Sequence, residues 1–386
     1  MGDYWPLEQL EDLKKRGLFR TLTDTRPAGH GKVRIGNDLF IDLSSNDYLG
    51  LSHHPFLKRA AHDAIEQYGL GARASRLMSG NLDLYGKLEG ALAHLKSTET
   101  GLVFGSGYLC NLAVMSALAG PEDCIILDRL CHASIVDGAL LSRARIKRFR
   151  HNSTDHLVQL LERSYKKYKR ILVVAESVYS MDGDLCPVGQ LVKITKNFSA
   201  VLVVDEAHAV GVFGKHGEGL VEKDSSQKPD MVIGTFGKAL GGYGAFCCCA
   251  KGIRDYLVNK ARGLIYSTGL PPSVLASNLS ALDLLPELQG ERKRLLSMAS
   301  NLRRFIKDDL GLKTLGSSQI VPLLIGDVKR TLELERHLFN QGIWAKAIRP
   351  PTVPEGSARI RFSLSASHGE EVLSILKESL LTFFKG

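Results

Sequence analysis

The sequence lacks several patterns that would place it in common functional classes. None of its seven cysteines forms a Cys-x-x-Cys pair, so neither a zinc site nor a dithiol redox motif is indicated. No apolar stretch approaches the roughly 20 residues needed to cross a bilayer. The first residues mix acidic and basic side chains without an apolar signal core. We therefore expect reduced thiols, no membrane association and a cytoplasmic location.

The chain is basic, with a net charge of +9, yet it has no dense block of lysine and arginine interleaved with aromatic residues. We therefore expect a surface that attracts small anions and no nucleic-acid partner. G-x-S-x-G, H-E-x-x-H and the P-loop motif are also absent, which disfavours a serine hydrolase, a zinc protease and a nucleoside triphosphatase. The strongest metal alternative uses His132, Asp205 and His208 without a compact ligand motif, so we expect no metal.

At 386 residues the chain is long enough for more than one domain. From residue 50 onward, continuous apolar runs of strand length alternate with helical patterns, which predicts a mainly parallel sheet covered on both faces. After about residue 285 the pattern changes to that of a small α+β domain. We predict an α/β protein with an N-terminal arm at 1–50, a large domain at 51–285 and a small C-terminal domain at 286–386.

The two ends of the chain contain shorter elements. In the arm, a helical pattern over 7–22 precedes a hairpin over 33–43, with its turn at Gly36-Asn37. The C-terminal region begins with a charged helix over 290–310. It continues with a strand, a second helix, a strand pair formed by IWAKAI and ARIRFSL, and a closing helix.

In α/β sheets, ligands bind at the carboxyl ends of strands, so the residues that follow each apolar run are the first candidates for a site. Asp205 directly follows the run AVLVV, and His208 comes shortly after it. Lys238 follows the run DMVIG, among small residues that leave room for a planar ligand. An amine in such a partly dry site loses proton affinity, which suits it to Schiff-base formation and proton transfer.

Two further strand ends supply an anion site and an aromatic group. Gly105-Ser106-Gly107-Tyr108 follows GLVF and opens a helical pattern, so backbone N–H groups at a helix N-terminus can contact an anion. His132 follows the run CIIL and could cover a planar ring. Pyridoxal 5'-phosphate (PLP) carries a phosphate, an aldehyde and a ring nitrogen, which match an anion site, an amine and an acid. The four strand ends together therefore predict a PLP site.

With these residues in this order, the chain resembles the α-oxoamine synthases, which are fold-type I PLP enzymes that condense an amino acid with an acyl-CoA and release carbon dioxide. The resemblance covers almost the whole chain and implies the PLP-dependent transferase fold type I. The motifs that carry it are SSNDYLGL at 44–51, Ser79-Gly80, HASIVDG with Ser134, SMDGD at 180–184, DEAHAVG, TFGKALGG and IYST at 265–268.

The resemblance also implies roles for individual residues. Lys238 would form the Schiff base and then remove the α-proton of the amino acid, while Asp205 would hold the proton on the pyridine nitrogen. Arg361 would bind the amino acid's carboxylate with the two-pronged geometry of a guanidinium. The remaining implied roles are His132 stacked on the ring, His208 at its phenolic oxygen, Gly107, Tyr108, Ser180 and Thr235 at the phosphate, Ser267 and Thr268 from the second subunit of a homodimer, and Arg20, Asn46 and Thr352 at the substrate.

Within the family, the stretch 347–356 followed by 358–361 favours a member that joins L-alanine to pimeloyl-CoA or to a pimeloyl-carrier protein. Ala72 and Ala74 replace glycines frequent in the family, and Leu77 replaces the histidine of some members, all on the acyl-binding side. Members that use glycine, such as glycine C-acetyltransferase and 5-aminolevulinate synthase, are the alternative. A catalytically silent subunit is disfavoured because the lysine, the aspartate, both histidines and the arginine are present.

Overall fold

The computed structural model describes residues 5–221 and 228–386. The chain divides into two compact units, which we call the core unit and the terminal unit. The domain boundaries expected at residues 50 and 285 remain a prediction. The core unit comprises Asp47–Ser180 and Leu185–Lys293, and the terminal unit comprises Met1–Asn46, Met181–Asp184 and Arg294–Gly386.

The strands and helices are numbered in chain order. The strands are β1 Arg26–Gly29, β2 Lys32–Ile35, β3 Asp38–Asp42, β4 Thr100–Phe104, β5 Cys124–Asp128, β6 Arg145–Phe149, β7 Ile171–Glu176, β8 Val201–Asp205, β9 Met231–Thr235, β10 Ala245–Cys249, β11 Ile320–Gly326, β12 Ile343–Trp344, β13 Ala347–Ile348 and β14 Ala358–Ser363. The α-helices are α1 Trp5–Lys15, α2 Pro55–Tyr68, α3 Asp83–Lys96, α4 Gly107–Leu118, α5 Ala133–Ser142, α6 Thr154–Glu162, α7 Val188–Asn197, α8 Lys251–Lys260, α9 Arg262–Ile265, α10 Pro272–Leu284, α11 Gln289–Arg304, α12 Val328–Asn340 and α13 Glu370–Lys385.

The core unit contains a seven-stranded sheet in the order β4-β10-β9-β8-β7-β5-β6. Strands β5 to β9 pair in parallel, whereas β10 is antiparallel to both β4 and β9. The predicted mainly parallel sheet is therefore confirmed. Because β4 and β9 run the same way, the carboxyl ends of β4, β5, β7, β8 and β9 all lie at one edge of the sheet.

Both faces of this sheet are buried, as the continuous apolar runs predict. Along β5, Cys124 and Ile126 belong to one hydrophobic cluster and Ile125 and Leu127 to another, because successive side chains point to opposite faces. Helices α4, α5 and α8 cover the face of Ile125 and Leu127, and helices α6 and α7 cover the face of Cys124 and Ile126. Two packed layers fix the strands rigidly, which also fixes the side chains at their ends.

The terminal unit holds two smaller sheets. One has the order β1-β2-β3-β12, and the other has the order β11-β14-β13. The predicted hairpin over 33–43 is formed by β2 and β3. The run IWAKAI does not form one strand, since Ile343 and Trp344 pair with β3 whereas Ala347 and Ile348 pair with β14.

The arm helix is shorter than the helical pattern over 7–22 predicts. Helix α1 ends at Lys15, and Gly17 follows in the left-handed region with a φ of 66°. Glycine adopts this conformation without a steric penalty and commonly terminates helices. Among the described residues, none of the helices combines the length and apolar character required to cross a membrane.

Candidate active site

Lys238 lies in the loop after β9, and its amine contacts an imidazole. Lys238 Nζ is 2.7 Å from Nε2 of His208, and Nδ1 of the same ring is 2.7 Å from the hydroxyl of Tyr48. Tyr48 is fully buried and His208 is nearly so, whereas Lys238 is half-buried. The imidazole is therefore fixed from one side by Tyr48 and faces the lysine amine on the other.

Asp205 ends β8, near the middle of the sheet, and its carboxylate is 6% exposed. One oxygen, Oδ1, accepts a hydrogen bond from the backbone N–H of Ala207 at 2.8 Å. The other, Oδ2, accepts one from Nδ2 of Asn111 at 2.9 Å. These two hydrogen bonds fix both oxygens of a buried carboxyl group at the strand end.

A second acid lies beside Asp205. Glu176 ends β7 opposite Asp205 in the parallel ladder, and it accepts a hydrogen bond from the backbone N–H of His132. Burial, with the charge of Asp205 as a smaller cause, raises the pKa of Glu176 to about 8. Two adjacent carboxyl groups of which one is neutral leave a single negative charge at this position.

His132 is the N-cap of α5, and its Nδ1 accepts from the backbone N–H of Ser134 at 3.2 Å. The same nitrogen is 2.8 Å from the hydroxyl of Ser134. Loss of solvation among the surrounding protein atoms lowers the pKa of His132, although part of the residue is exposed to solvent. A neutral imidazole with one open side is suited to stacking against a planar ring.

The predicted anion site lies at the start of α4. Ser106 caps this helix by accepting from the backbone N–H of Leu109 at 3.2 Å, and Gly107 is the first helical residue. A Cβ added to Gly107 would lie 4.0 Å from the side chain of Thr235, so the end of β9 approaches this helix start closely. Tyr108 is half exposed, and its hydroxyl bonds Asp137, which leaves its backbone as the part available to an anion.

Three phosphate candidates remain: Ser180, Ser267 and Thr268. Ser180 lies in a turn after β7 and is half-buried. Ser267 and Thr268 line a small cavity together with Gly105, and Thr268 forms an isolated bridge with Ser75. Their predicted action from a second subunit stays a prediction.

Arg361 lies on β14 in the terminal unit and is 8% exposed. Its guanidinium donates to Oδ1 of Asn46 at 3.2 and 3.3 Å and to the hydroxyl of Ser363 at 2.7 Å. Two predicted substrate residues, Arg361 and Asn46, are thus in direct contact. The neighbouring Arg359 forms an ion pair with Asp182 instead, so the two arginines of this strand differ in their partners.

Arg20 and Thr352, the other two predicted substrate residues, also contact each other. The guanidinium of Arg20 donates to the hydroxyl of Thr352 at 3.1 Å. Arg20 lines a cavity of about 660 Å³ in the terminal unit, beside the apolar side chains of Phe19, Phe339 and Trp344. The lining also includes charged side chains, among them Arg336, Lys346 and Arg349. A cavity with apolar and cationic side chains can hold an acyl chain that ends in an anion.

The residues of the core unit fit PLP. They offer an amine, a buried carboxylate, a partly open imidazole and a helix N-terminus that begins with a glycine, which correspond to the aldehyde, ring nitrogen, ring face and phosphate of the cofactor. Among residues 5–221 and 228–386, no three His, Cys, Asp or Glu side chains are grouped so that they could hold a metal ion.

A family model described as aminotransferase class I and II matches residues 39–380. The chain belongs to this family, and within it to the α-oxoamine synthases, which are its structural neighbours. It is a PLP-dependent acyltransferase with the fold type I architecture. The predicted fold class, enzyme class and cofactor are confirmed.

Relatives of known name cover nearly the whole chain. The 8-amino-7-oxononanoate synthase of Geotalea daltonii is 45% identical over 368 residues, which is 94% of this chain and 93% of that protein. The enzyme of the same name from Geobacter sulfurreducens is 44% identical over 369 residues, covering 95% and 94% of the two chains.

Solved structures agree with this placement. Serine palmitoyltransferase from S. paucimobilis, with a bound PLP–myriocin aldimine, has a TM-score of 0.90 at 30% identity and covers 98% of both chains. The 8-amino-7-oxononanoate synthase from Francisella tularensis has a TM-score of 0.76 at 30% identity and covers 90% of this chain and 97% of that chain.

Three contacting residues were missed by the sequence reasoning. Glu176 ends an apolar run just as Asp205 does, so the same strand-end signal could have found it. Tyr48 lies within the motif SSNDYLGL, and only its full burial against His208 singles it out. Asn111 lies inside the helical pattern that begins at Gly107, and no local signal points to its bond with Asp205.

Proposed function

We propose that this protein is an 8-amino-7-oxononanoate synthase, which condenses L-alanine with a pimeloyl thioester and releases carbon dioxide on the route to biotin. The name shared by relatives at 41–45% identity over most of the chain is the observation that carries this proposal. Two sets of residues support it: those of the core unit that fit PLP, and the arginines of the terminal unit that can bind the carboxylates of an amino acid and of an acid-terminated acyl chain.

Lys238 is the residue that moves protons. When bound, PLP supplies an electron-accepting ring that stabilises negative charge at the α-carbon of an amino acid. Lys238 holds the cofactor and then removes the α-proton, and the imidazole of His208 next to its amine helps to orient it. Asp205 keeps a proton on the ring nitrogen through its buried carboxylate, while His132 covers the ring face.

Arg361 binds the carboxylate of the amino acid. Its guanidinium is oriented by Asn46 and Ser363, and a guanidinium with fixed orientation recognises a carboxylate with two parallel hydrogen bonds. Arg361→Lys is expected to raise the KM for the amino acid, because an ammonium group cannot make the paired contact.

Arg20 binds the distal carboxylate of the acyl donor, with Thr352 fixing its guanidinium. Arg20→Leu should raise the KM for pimeloyl-CoA by about tenfold or more, the expected effect of leaving a charged group unpaired. Heptanoyl-CoA, which lacks the distal acid, is the matched control, and its KM should change little. An equal rise for both donors would contradict this role.

The same proposal includes a cytoplasmic location and a homodimer in which Ser267 and Thr268 reach the neighbour's phosphate site. It also includes CoA and a carrier protein as the two alternative carriers of the pimeloyl group. The homodimer is tested by mixing Lys238→Ala with Ser267→Ala/Thr268→Ala subunits. If the sites are shared, mixed dimers regain one competent site and hence partial activity.

One assay tests the proposed reaction. Purified protein is incubated with PLP, pimeloyl-CoA and one amino acid, which is L-alanine, glycine or L-serine in three separate reactions. Released CoA and the ketone product are measured in each reaction. We expect turnover with alanine to exceed that with glycine or serine by at least tenfold. Preference for glycine would favour glycine C-acetyltransferase or 5-aminolevulinate synthase activity, and preference for serine a palmitoyltransferase-like activity.

A further inference from the structure

A chain of hydrogen bonds connects the carboxylate of Asp205 to the ring of His132. Asn111 in α4 donates its Nδ2 to Asp205 at 2.9 Å and to the hydroxyl of Ser134 at 3.0 Å. That hydroxyl lies 2.8 Å from Nδ1 of His132. Because an amide nitrogen carries two hydrogens, a single Asn111 side chain can serve both partners at once.

The amide of Asn111 is held in one orientation. Asn111 and Ser134 are 3% and 0% exposed, so water does not compete for these bonds. If the amide were flipped, its oxygen would face the oxygen of Asp205, so only the observed orientation is compatible with an ionised carboxylate.

The orientation of Asn111 has a cost in stability. Its Oδ1 is buried and has no hydrogen-bond partner among the described residues. A buried acceptor without a partner is unfavourable, and asparagine is also a poor residue for a helix interior. A residue that weakens its own helix in this way points to a role in the site rather than in folding.

We propose that Asn111 is a positioning residue for the PLP reaction, which fixes the carboxylate of Asp205 towards the ring nitrogen and, through Ser134, couples it to the ring orientation of His132. The inference rests on the roles given to Asp205 and His132 under the proposed function. It adds to them a residue that acts through its hydrogen bonds to Asp205 and Ser134.

The expected effect of Asn111 is on proton distribution. Its hydrogen bond stabilises ionised Asp205, which leaves the proton on the ring nitrogen and makes the ring cationic. A cationic ring lowers the pKa of the linkage between the cofactor and Lys238 by electrostatic repulsion. The other titratable groups around Asp205 are Glu176 at the end of β7, and Cys131 and His132 before α5, besides the lysine itself.

The test measures the pKa of the lysine–cofactor linkage from its visible absorbance across pH in the holoenzyme. Asn111→Ala removes the donor, and Asn111→Asp keeps the side-chain size while placing a second acid against Asp205. Both variants should raise the pKa of the linkage, so that its proton affinity increases roughly tenfold. Either variant alone is sufficient if the other does not fold.

Two controls separate positioning from general stability. Ser134→Ala keeps the bond between Asn111 and Asp205, so the proton affinity of the linkage should change by no more than about twofold. Visible circular dichroism should change because His132 loses its contact with the Ser134 hydroxyl, while it keeps the bond from the backbone N–H at position 134. Asp205→Asn should raise the linkage pKa most, since it removes the acid itself.

A linkage pKa unchanged in both Asn111 variants, alongside a shift in Asp205→Asn, would overturn the inference and leave the proposed function standing. If instead wild-type protein with PLP forms no coloured linkage at Lys238, the proposed function fails, and the inference fails with it. A lower melting temperature without a spectral change would assign Asn111 to helix packing alone.

Discussion

At the scale of single residues, the site depends on contacts that hold a few side chains in fixed positions. His208 contacts both Lys238 and the buried hydroxyl of Tyr48. The hydroxyl therefore limits how the imidazole can rotate and how it presents Nε2 to the amine. Tyr48 thus acts on the lysine only through the histidine.

Tyr48→Phe removes this hydroxyl and keeps the buried ring. We expect kcat to fall about two- to tenfold, which is the effect of one lost neutral hydrogen bond. The free energy of unfolding should change little. Tyr179→Phe is the matched control because Tyr179 is 1% exposed and its hydroxyl has no partner among the described residues. An equal loss of kcat in both variants would contradict the role of Tyr48.

Glu176 gives the stability of the protein a dependence on pH. Its folded-state pKa is raised to about 8, so the folded protein binds the proton more tightly than the unfolded chain does. The resulting stabilisation is fully present below the unfolded pKa of about 4.3 and is lost as the pH rises towards 8.

Glu176→Gln removes this dependence. The free energy of unfolding of the variant, relative to wild type, should increase between pH 5 and pH 8 by at least about 1.4 kcal/mol, the equivalent of one pKa unit. Urea unfolding of the cofactor-free proteins at several pH values measures it. A difference that is constant with pH would contradict the raised pKa.

Sequence reasoning at this scale finds residues that stand at strand ends and misses residues that act from elements packed on them. Asp205, Lys238, Thr235 and His132 follow apolar runs, and parallel strands bring such positions to one edge. Asn111 lies inside a helix, and its contact with Asp205 depends on how α4 packs on the sheet. That packing is a tertiary property, which local pattern does not reveal.

At the scale of elements, the start of α4 combines structure and function. Its first turn leaves unpaired backbone N–H groups, which a cap or a bound anion can satisfy. Ser106 satisfies that of Leu109, and Gly107 leaves space for an anion to approach. The same turn can therefore stabilise the helix and bind phosphate.

Ser106→Ala should lower the free energy of unfolding by about 1 kcal/mol and also weaken PLP binding, because the first turn of α4 loses its cap. Ser153→Ala, at the N-cap of α6, is the control, since Ser153 accepts from the backbone N–H of His156 in the same way. We expect a similar loss of stability there with unchanged affinity for PLP. Fluorescence titration with PLP and urea unfolding measure both quantities.

The apolar runs predicted the central strands because burial on both faces requires continuous apolar sequence. The edge strand β6 was not predicted, since its sequence RIKRF is charged and, among the described strands, it pairs with β5 alone. The run IWAKAI was read as one strand, but its two halves belong to different sheets. Such a division depends on long-range pairing rather than on local propensity.

At the scale of the whole molecule, a buried ion pair stabilises the core unit. Lys96 contacts Glu206, and their side chains are 1% and 0% exposed. Glu206 also accepts from the backbone N–H groups of Leu220 and Val221 at 2.7 and 2.9 Å. The pair thus connects α3 with Glu206, which directly follows β8, and through Glu206 with the backbone of Leu220 and Val221.

Lys96→Met should destabilise the protein by about 3–5 kcal/mol, because it leaves the Glu206 carboxylate buried without its partner. Lys169→Met is the control, since Lys169 and Glu122 form an exposed pair at 68% and 76% exposure, and such pairs contribute little. Thermal or urea unfolding compares the two. Equal effects in both variants would contradict the importance of burial.

The most direct test of the account concerns the covalent link between the protein and its cofactor. Purified protein is saturated with PLP, reduced with borohydride, digested and analysed by mass spectrometry. We predict that the reduced cofactor is attached to Lys238, and that Lys238→Ala carries no covalently attached cofactor after reduction and is inactive. Attachment at another lysine, or a coloured and active Lys238→Ala variant, would contradict the account.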